Sequence, residues 1–398
     1  MSISFSTIRK DFPIMKKGIV YLDSAATSLK PDSVIERVND FYQSFSANVG
    51  RSSHFMGQIA TENYEDVRSK VASFIGCDSD EVVFTMNCTE SINTIASSLN
   101  ITNDDLVIIS ELEHHSNTLP WMKYGTVKSI PTDNNGLIDL NILESQLKKN
   151  KVKIVSCCMV SNVTGNIQPV NAIASLARKY GALCLIDGAQ AVGHIHVDVK
   201  SIGCDFFAFS GHKMLGPSGV GVLYINSNIN NKNLSIYKAG GGMVNSINLS
   251  HSVEYYSGHK KFEAGTPNIE GVLGLGSAID YIESIGIDNI EKYGHELNSY
   301  LIESISSLSG VNLAFQLSKN RIPLLTLNFN SNIDLNFIAR ILSSQRKICV
   351  STGYQCNQLI YKRRNLKGGM RISLHLYNSK DDIDALVASL NEVRCLIN

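Results

Sequence analysis

The chain has 398 residues, of which 43% are apolar and 18% charged, a composition that fits a folded globular protein and argues against a long disordered tract. Its 36 Lys and Arg balance 36 Asp and Glu, so no global basic field exists to hold nucleic acid or an anionic membrane. At roughly 150 residues per domain, the length suggests two or three domains.

The first fifteen residues, MSISFSTIRKDFPIM, contain no apolar core of a signal peptide. Nine cysteines form no C-x-x-C pair, and an odd number spread over a long chain does not read as a disulfide framework or a zinc site. A reducing, cytoplasmic setting is therefore expected, with most cysteines acting as small core hydrophobes. The longest uncharged run, Ile154 to Ala177, is interrupted by Asn162, Asn166, Gln168, Pro169 and Asn171. It reads as strand, loop and helix rather than a membrane span.

In chain order, short β-branched runs alternate with amphipathic stretches, which predicts a parallel sheet with crossover helices. The expected strands are Val82–Thr85, Leu106–Ser110, Lys153–Val160, Ala182–Ile186, Asp205–Phe209 and Gly219–Ile225; the expected helices are Glu90–Leu99, Leu140–Lys148 and Val170–Tyr180. From about Asp288 the pattern changes to a helix to about Leu308, a strand at Leu324–Phe329 and a helix at Asp334–Ser344. Strands near Cys349–Ser351 and Met370–Leu374 and a closing helix at Asp381–Ile397 follow. The fold class is thus α/β: a large domain on a mainly parallel sheet (residues 15–287) and a smaller α+β C-terminal domain (288–398), with residues 1–14 packing near the latter.

No G-x-x-x-x-G-K-[ST] occurs, and Gly271, Gly274 and Gly276 have the wrong spacing for G-x-G-x-x-G, which argues against a P-loop NTPase or a Rossmann dehydrogenase. The informative stretch runs from Asp187 to Gly219. Asp187 ends an apolar strand, where a lone carboxylate is costly unless it meets a cation or a donor. Lys213 follows the next such strand, and a desolvated lysine has a depressed pKa suited to Schiff-base chemistry. A buried Asp and a Lys at adjacent strand ends are what pyridoxal 5'-phosphate (PLP) requires, one for the pyridinium N–H and one for the aldehyde.

With these residues in place the chain resembles the PLP-dependent fold type I enzymes of the class V aminotransferase family, and among them the SufS-like cysteine desulfurases. The resemblance is carried by YLDSAATSLKP, NCTESIN, SELEHHSNTLPW, VSNVTGNIQPV, IDGAQAVGH, FSGHKMLGPSGVGVLY, FEAGTPN and STGYQC. It implies Lys213 as the Schiff-base lysine, Asp187 as partner of the pyridine nitrogen, Gln190 at the phenolate oxygen and His115 stacked on the ring. It further implies a phosphate cup from Thr89, Ser210 and His212, and Thr266 reaching the partner subunit's phosphate in a homodimer. Asn162 and Arg371 would hold the carboxylate of L-cysteine, and Cys356 would accept its sulfur as a persulfide, leaving alanine. A sulfur-acceptor protein and iron–sulfur or other sulfur-cofactor assembly are the implied destinations.

The family commonly has Arg-Thr-Gly-His-His-Cys where this chain has Ser351-Thr352-Gly353-Tyr354-Gln355-Cys356. Lys362, Arg363 and Arg364 lie nearby, either as replacement cations or as a solvated surface run. Gly50 replaces a frequent His while Arg51 and His54 are kept, and Cys88 stands where Thr is common. These departures leave open a selenocysteine lyase, another class V lyase or aminotransferase, or a non-catalytic scaffold of the same fold.

Overall fold

The computed structural model describes residues 5–50, 52–229, 234–329 and 334–397, with side chains up to residue 393; Arg51 lies outside them. Seven strands form the central sheet in the order Val82–Thr85, Gly221–Ile225, Phe206–Ser210, Leu183–Asp187, Val152–Cys158, Leu106–Ser110 and Thr126–Ile130. Gly221–Ile225 runs antiparallel to both neighbours, and the other pairings are parallel. The central strands are buried on both faces, and the side chains alternate between two cores as the pleat requires. Phe207 and Phe209 enter one core while Phe206 and Ala208 enter the other.

The expected strands and helices of this region occur with ends shifted by at most two residues. The strand Thr126–Ile130 was not among them. It lies at the sheet edge with Thr126 and Lys128 exposed, so it lacks the continuous apolar run that marks its neighbours. Helices Asp32–Ser44, Phe55–Ile75 and Ile269–Ile285 complete the covering layers, and a hairpin pairs Val244–Ile247 with Val253–Tyr255. Among the described residues, no helix is long and apolar enough to cross a membrane.

The C-terminal part builds an antiparallel sheet in the order Val311–Leu313, Leu324–Phe329, Gly369–Ser373 and Ser351–Gly353. Helices Ile287–Ser306, Leu335–Arg346 and Lys380–Ile397 pack with it around a core of its own, containing Leu301, Leu325, Leu342, Ile372 and Leu386. The expected single strand near Cys349–Ser351 is two strands in different sheets. Ile348–Cys349 pairs in parallel with Val20–Tyr21, whereas Ser351–Gly353 pairs with Gly369–Ser373. The N-terminal segment therefore belongs to this packing: Leu22 joins the core, Phe5 stacks on Tyr293, and Arg9 pairs with Asp382 at 2.6 Å.

Gly188 follows Asp187 where the chain passes over Phe207. A Cβ there would lie 2.0 Å from the Phe207 ring, so only glycine lets the turn sit against the sheet. Gly188→Ala is expected to destabilise the protein by about 1–3 kcal/mol through overpacking, measured by urea unfolding. Unchanged stability would mean that the turn does not depend on this close approach.

Candidate active site

The C-terminal ends of the parallel strands converge on a cavity of about 390 Å³ lined by Asp187, Gln190, Ser210, His212, Lys213, Asn162, Thr89, Cys356 and Arg371, together with Cys88, His114, Ser116, Ser351 and Gln355. Nine of the eleven site positions expected from sequence thus line it, and His115 and Thr266 do not. Thr266 is exposed and lines a separate cavity of about 360 Å³ beside Lys238, Glu263 and Asn268.

Register explains the convergence. Asp187 closes its strand opposite Cys158 on one side and Ala208 on the other. The neighbouring strand runs on to Ser210, and the 3-10 turn Gly211–Lys213 brings the lysine back over the sheet edge. Asp187 is buried and Lys213 is partly buried. Burial pushes the Asp187 carboxyl up, against the Ala189 amide and the charge of Lys213, which pull it down. Burial likewise pushes Lys213 down, while the Asp187 charge acts in the opposite direction. Among the described residues, Lys213 Nζ has no hydrogen bond and no salt bridge, so its amine is held in the cavity without a protein partner. Asp187 Oδ1 accepts from Ala189 N at 2.9 Å and from Cys88 Sγ at 3.3 Å.

The helix Cys88–Ser98 starts at this cavity. Asn87 caps it by accepting from Glu90 N at 2.9 Å, and Cys88 N donates to Ser210 Oγ at 2.8 Å. Thr89 Oγ1 lies 2.7 Å from Ser116 Oγ. A helix N-terminus flanked by hydroxyls is a ready anion site. The helix approaches closely because Gly221 has no side chain: a Cβ there would lie 2.6 Å from the Asn87 backbone. Burial first, then the charges of Lys213 and Lys30, push the His212 imidazole down to about 4.

The opposite wall comes from the C-terminal sheet. Arg371 is buried, with Nη2 donating to Asp23 Oδ1 at 2.9 Å and Nη1 to the Asn162 carbonyl at 3.2 Å. Its Nε is buried and without a partner. Ser351 pairs directly with Arg371 across the sheet, and among the described residues Arg371 is the guanidinium lining the cavity. Gln355 and Cys356 both adopt left-handed backbone conformations, with φ of 43° and 56°. Their loop is fixed by His115 N donating to the Cys356 carbonyl at 2.8 Å and by Asn162 Nδ2 donating to the Gln355 carbonyl at 2.9 Å. Tyr361 and Gly369 hold the Gln355 side chain. Cys356 remains exposed at the cavity mouth.

The His114–His115 pair divides at the cavity. His114, not His115, lines the cavity. His114 ends an extended segment and caps the turn His115–Asn117, its Nδ1 accepting from Ser116 N at 3.1 Å. His114 is extended while His115 already belongs to the turn, so their side chains leave the backbone in different directions, and a His-His pair carries no signal of which one faces inward. Burial chiefly, then Lys213, lowers the His114 pKa to about 3, so its ring is neutral. Arg363 and Arg364 do not line the cavity either. They meet the buried Glu111 at 3.0 and 3.5 Å, and Arg364 also donates to Thr132 Oγ1.

Beneath the site lies Glu113, which the sequence did not single out. Its carboxyl bonds with Ser110 Oγ, with Asn117 Nδ2 at 2.6 Å and with Cys158 N at 3.1 Å. Burial outweighs these bonds and raises its pKa from 4.5 to about 7. A folded-state pKa above the unfolded one stabilises the fold below about 4.5 and loses that contribution as pH rises toward 7. The stability of the protein relative to Glu113→Gln is therefore expected to be greatest near pH 5 and to shrink toward pH 8, by an amount on the order of 1–3 kcal/mol. Urea titrations across that range measure it; parallel pH curves would contradict it.

The aminotransferase class-V family model matches residues 20–386. A probable cysteine desulfurase of Halalkalibacterium halodurans is 39% identical over 97% of both chains, and the cysteine desulfurase of Dickeya dadantii is 35% identical over 98% of this chain and 97% of its own. Among solved structures, the apo cysteine desulfurase of Thermococcus onnurineus superposes with a TM-score of 0.92 at 34% identity, covering 99% of this chain and 98% of that one. The cysteine desulfurase CsdA of Escherichia coli, in its S-sulfonic acid form, gives 0.91 at 31% identity over both full chains. With its strand-end lysine and carboxylate facing a cysteine loop, this chain belongs to the class V aminotransferase family, in its cysteine desulfurase branch.

Proposed function

We propose that this protein is a PLP-dependent cysteine desulfurase that converts L-cysteine to L-alanine and takes the sulfur as a persulfide on Cys356. The observation that carries the reading is the partly desolvated Lys213 amine, without a hydrogen bond or salt bridge, beside Asp187 in the same cavity as the Cys356 loop. The residues present fit the cofactor. Lys213 offers a free amine, and both protein donors to Asp187 fall on Oδ1, which leaves Oδ2 for a pyridinium N–H. The helix start at Thr89 with Ser210 and His212 suits the phosphate, Gln190 suits the phenolate oxygen, and the neutral His114 ring suits the cofactor face.

The chemistry supplied by bound PLP is an electron sink that makes the substrate Cα–H acidic. Arg371 binds the substrate carboxylate through the donors that Asp23 and the Asn162 carbonyl leave free, the buried Nε–H among them. The Lys213 amine, its pKa depressed by burial, takes the proton from Cα. The Cys356 thiolate attacks the substrate sulfur; the S–S bond forms as the substrate C–S bond breaks, and the electron pair left on carbon is protonated to give alanine. Atoms and electrons balance without an external oxidant: L-cysteine and the Cys356 thiol become L-alanine and a Cys356 persulfide. The exposed position of Cys356 then lets a sulfur-acceptor protein collect the persulfide for iron–sulfur or other sulfur-cofactor assembly. In a homodimer, the exposed Thr266 would contribute to the phosphate site of the partner subunit.

Incubating the PLP-loaded protein with L-cysteine tests the reading. Alanine and protein-bound sulfane sulfur are expected in equal amounts in a single turnover, with the sulfur on Cys356. Cys356→Ala is expected to lower alanine formation by about two orders of magnitude or more. Undiminished sulfur release by that variant would refute the persulfide mechanism and favour a lyase.

A further inference from the structure

Cys88 departs from the family pattern at a position that touches the cofactor machinery. Its thiol is buried, lines the cavity and lies 3.3 Å from Asp187 Oδ1. Its backbone is fixed as well: Asn87 caps the helix, and Cys88 N donates to Ser210 Oγ at 2.8 Å.

Protonation fixes the direction of the bond. Burial and the adjacent Asp187 hold the Cys88 thiol well above its ordinary pKa, so it stays S–H and donates to the carboxylate. Ala189 N donates to the same oxygen at 2.9 Å. Two donors on Oδ1 pin the plane of the carboxylate and leave Oδ2 as the oxygen able to accept from a ligand. Hydrogen bonds to the ionised form also offset the burial that pushes Asp187 towards protonation.

We propose that Cys88 is a positioning residue: its S–H, together with the Ala189 amide, holds the Asp187 carboxylate ionised and turned so that Oδ2 meets the pyridinium N–H of PLP. This inference rests on the PLP reading above. It assigns to a cysteine the orienting task at a position where the family commonly carries Thr.

The test compares Cys88→Ala, which removes the donor, with Cys88→Ser, which keeps one. Two readouts are followed: the dissociation constant of PLP from the protein, by equilibrium dialysis, and the visible absorbance of bound PLP as a function of pH. Cys88→Ala is expected to weaken PLP binding by roughly three- to tenfold, the usual range for one hydrogen bond to a charged acceptor when the donor is weak. Its absorbance titration should move relative to the parent protein. Cys88→Ser should restore both values to within about twofold. Thermal unfolding of the cofactor-free variants checks that each folds; should Cys88→Ala fail to fold, Cys88→Thr against Cys88→Val provides the same contrast in matched shapes. Donor-free and donor-bearing variants that bind PLP alike, with unmoved titrations, would overturn the proposal. Failure of the parent protein itself to bind PLP, or colour that survives Lys213→Ala, would instead overturn the underlying reading.

Discussion

Desolvating an amine where no acceptor meets it is costly, and a protein keeps such a group only where the surrounding fold enforces it. The structure enforces it at Lys213. The strand Phe206–Ser210 is buried along its whole length, the following turn returns the lysine over the sheet edge, and Asp187 on the adjacent strand supplies an opposing charge without forming a salt bridge. The polypeptide before Lys213 is held equally firmly. The His212 carbonyl accepts from Ser28 N at 2.9 Å, from Ser28 Oγ at 3.0 Å, from Thr27 Oγ1 at 3.1 Å and from Lys30 Nζ at 3.3 Å. Four donors on one carbonyl leave the lysine backbone little freedom.

The remaining walls are arranged around that pair. The N-terminal segment that clamps His212 also pairs with Ile348–Cys349 and presents Asp23 to Arg371. One stretch of chain therefore ties the strand ends of the large sheet to the C-terminal sheet. Arg371 and the Cys356 loop face Lys213 because Asn162, in the turn that follows the strand Val152–Cys158, bonds both: its carbonyl accepts from Arg371 and its side-chain amide donates to the Gln355 carbonyl. Arg371 and the Cys356 loop are thus positioned by the same side of the cavity.

Much of this was legible in the sequence. Strands such as Val82–Thr85, Leu106–Ser110 and Leu324–Phe329 are short apolar runs bounded by polar residues, and they occur where the pattern places them. Asp187 and Lys213 were readable because each follows such a run. What escaped was fixed by distant partners or by side-chain direction. The segment 348–353 divides between two sheets because Val20–Tyr21, more than three hundred residues away, captures its first half. Arg363 and Arg364 read equally as replacement cations or surface charges until Glu111 is brought against them. His114 and His115 are adjacent in sequence, and the backbone torsion at the start of a turn decides which ring enters the cavity.

The central claim is that Lys213 is the lysine that carries the cofactor. Lys30 is the natural competitor: it lies nearby, and burial lowers its pKa to about 8. Its amine, however, is occupied by Thr27 Oγ1 and by the carbonyls of Ser28 and His212. Hydride reduction of the PLP-loaded protein, followed by mass mapping of its peptides, distinguishes the two. The account expects a single stable adduct on Lys213, and an adduct on Lys30 or on any other lysine would contradict it.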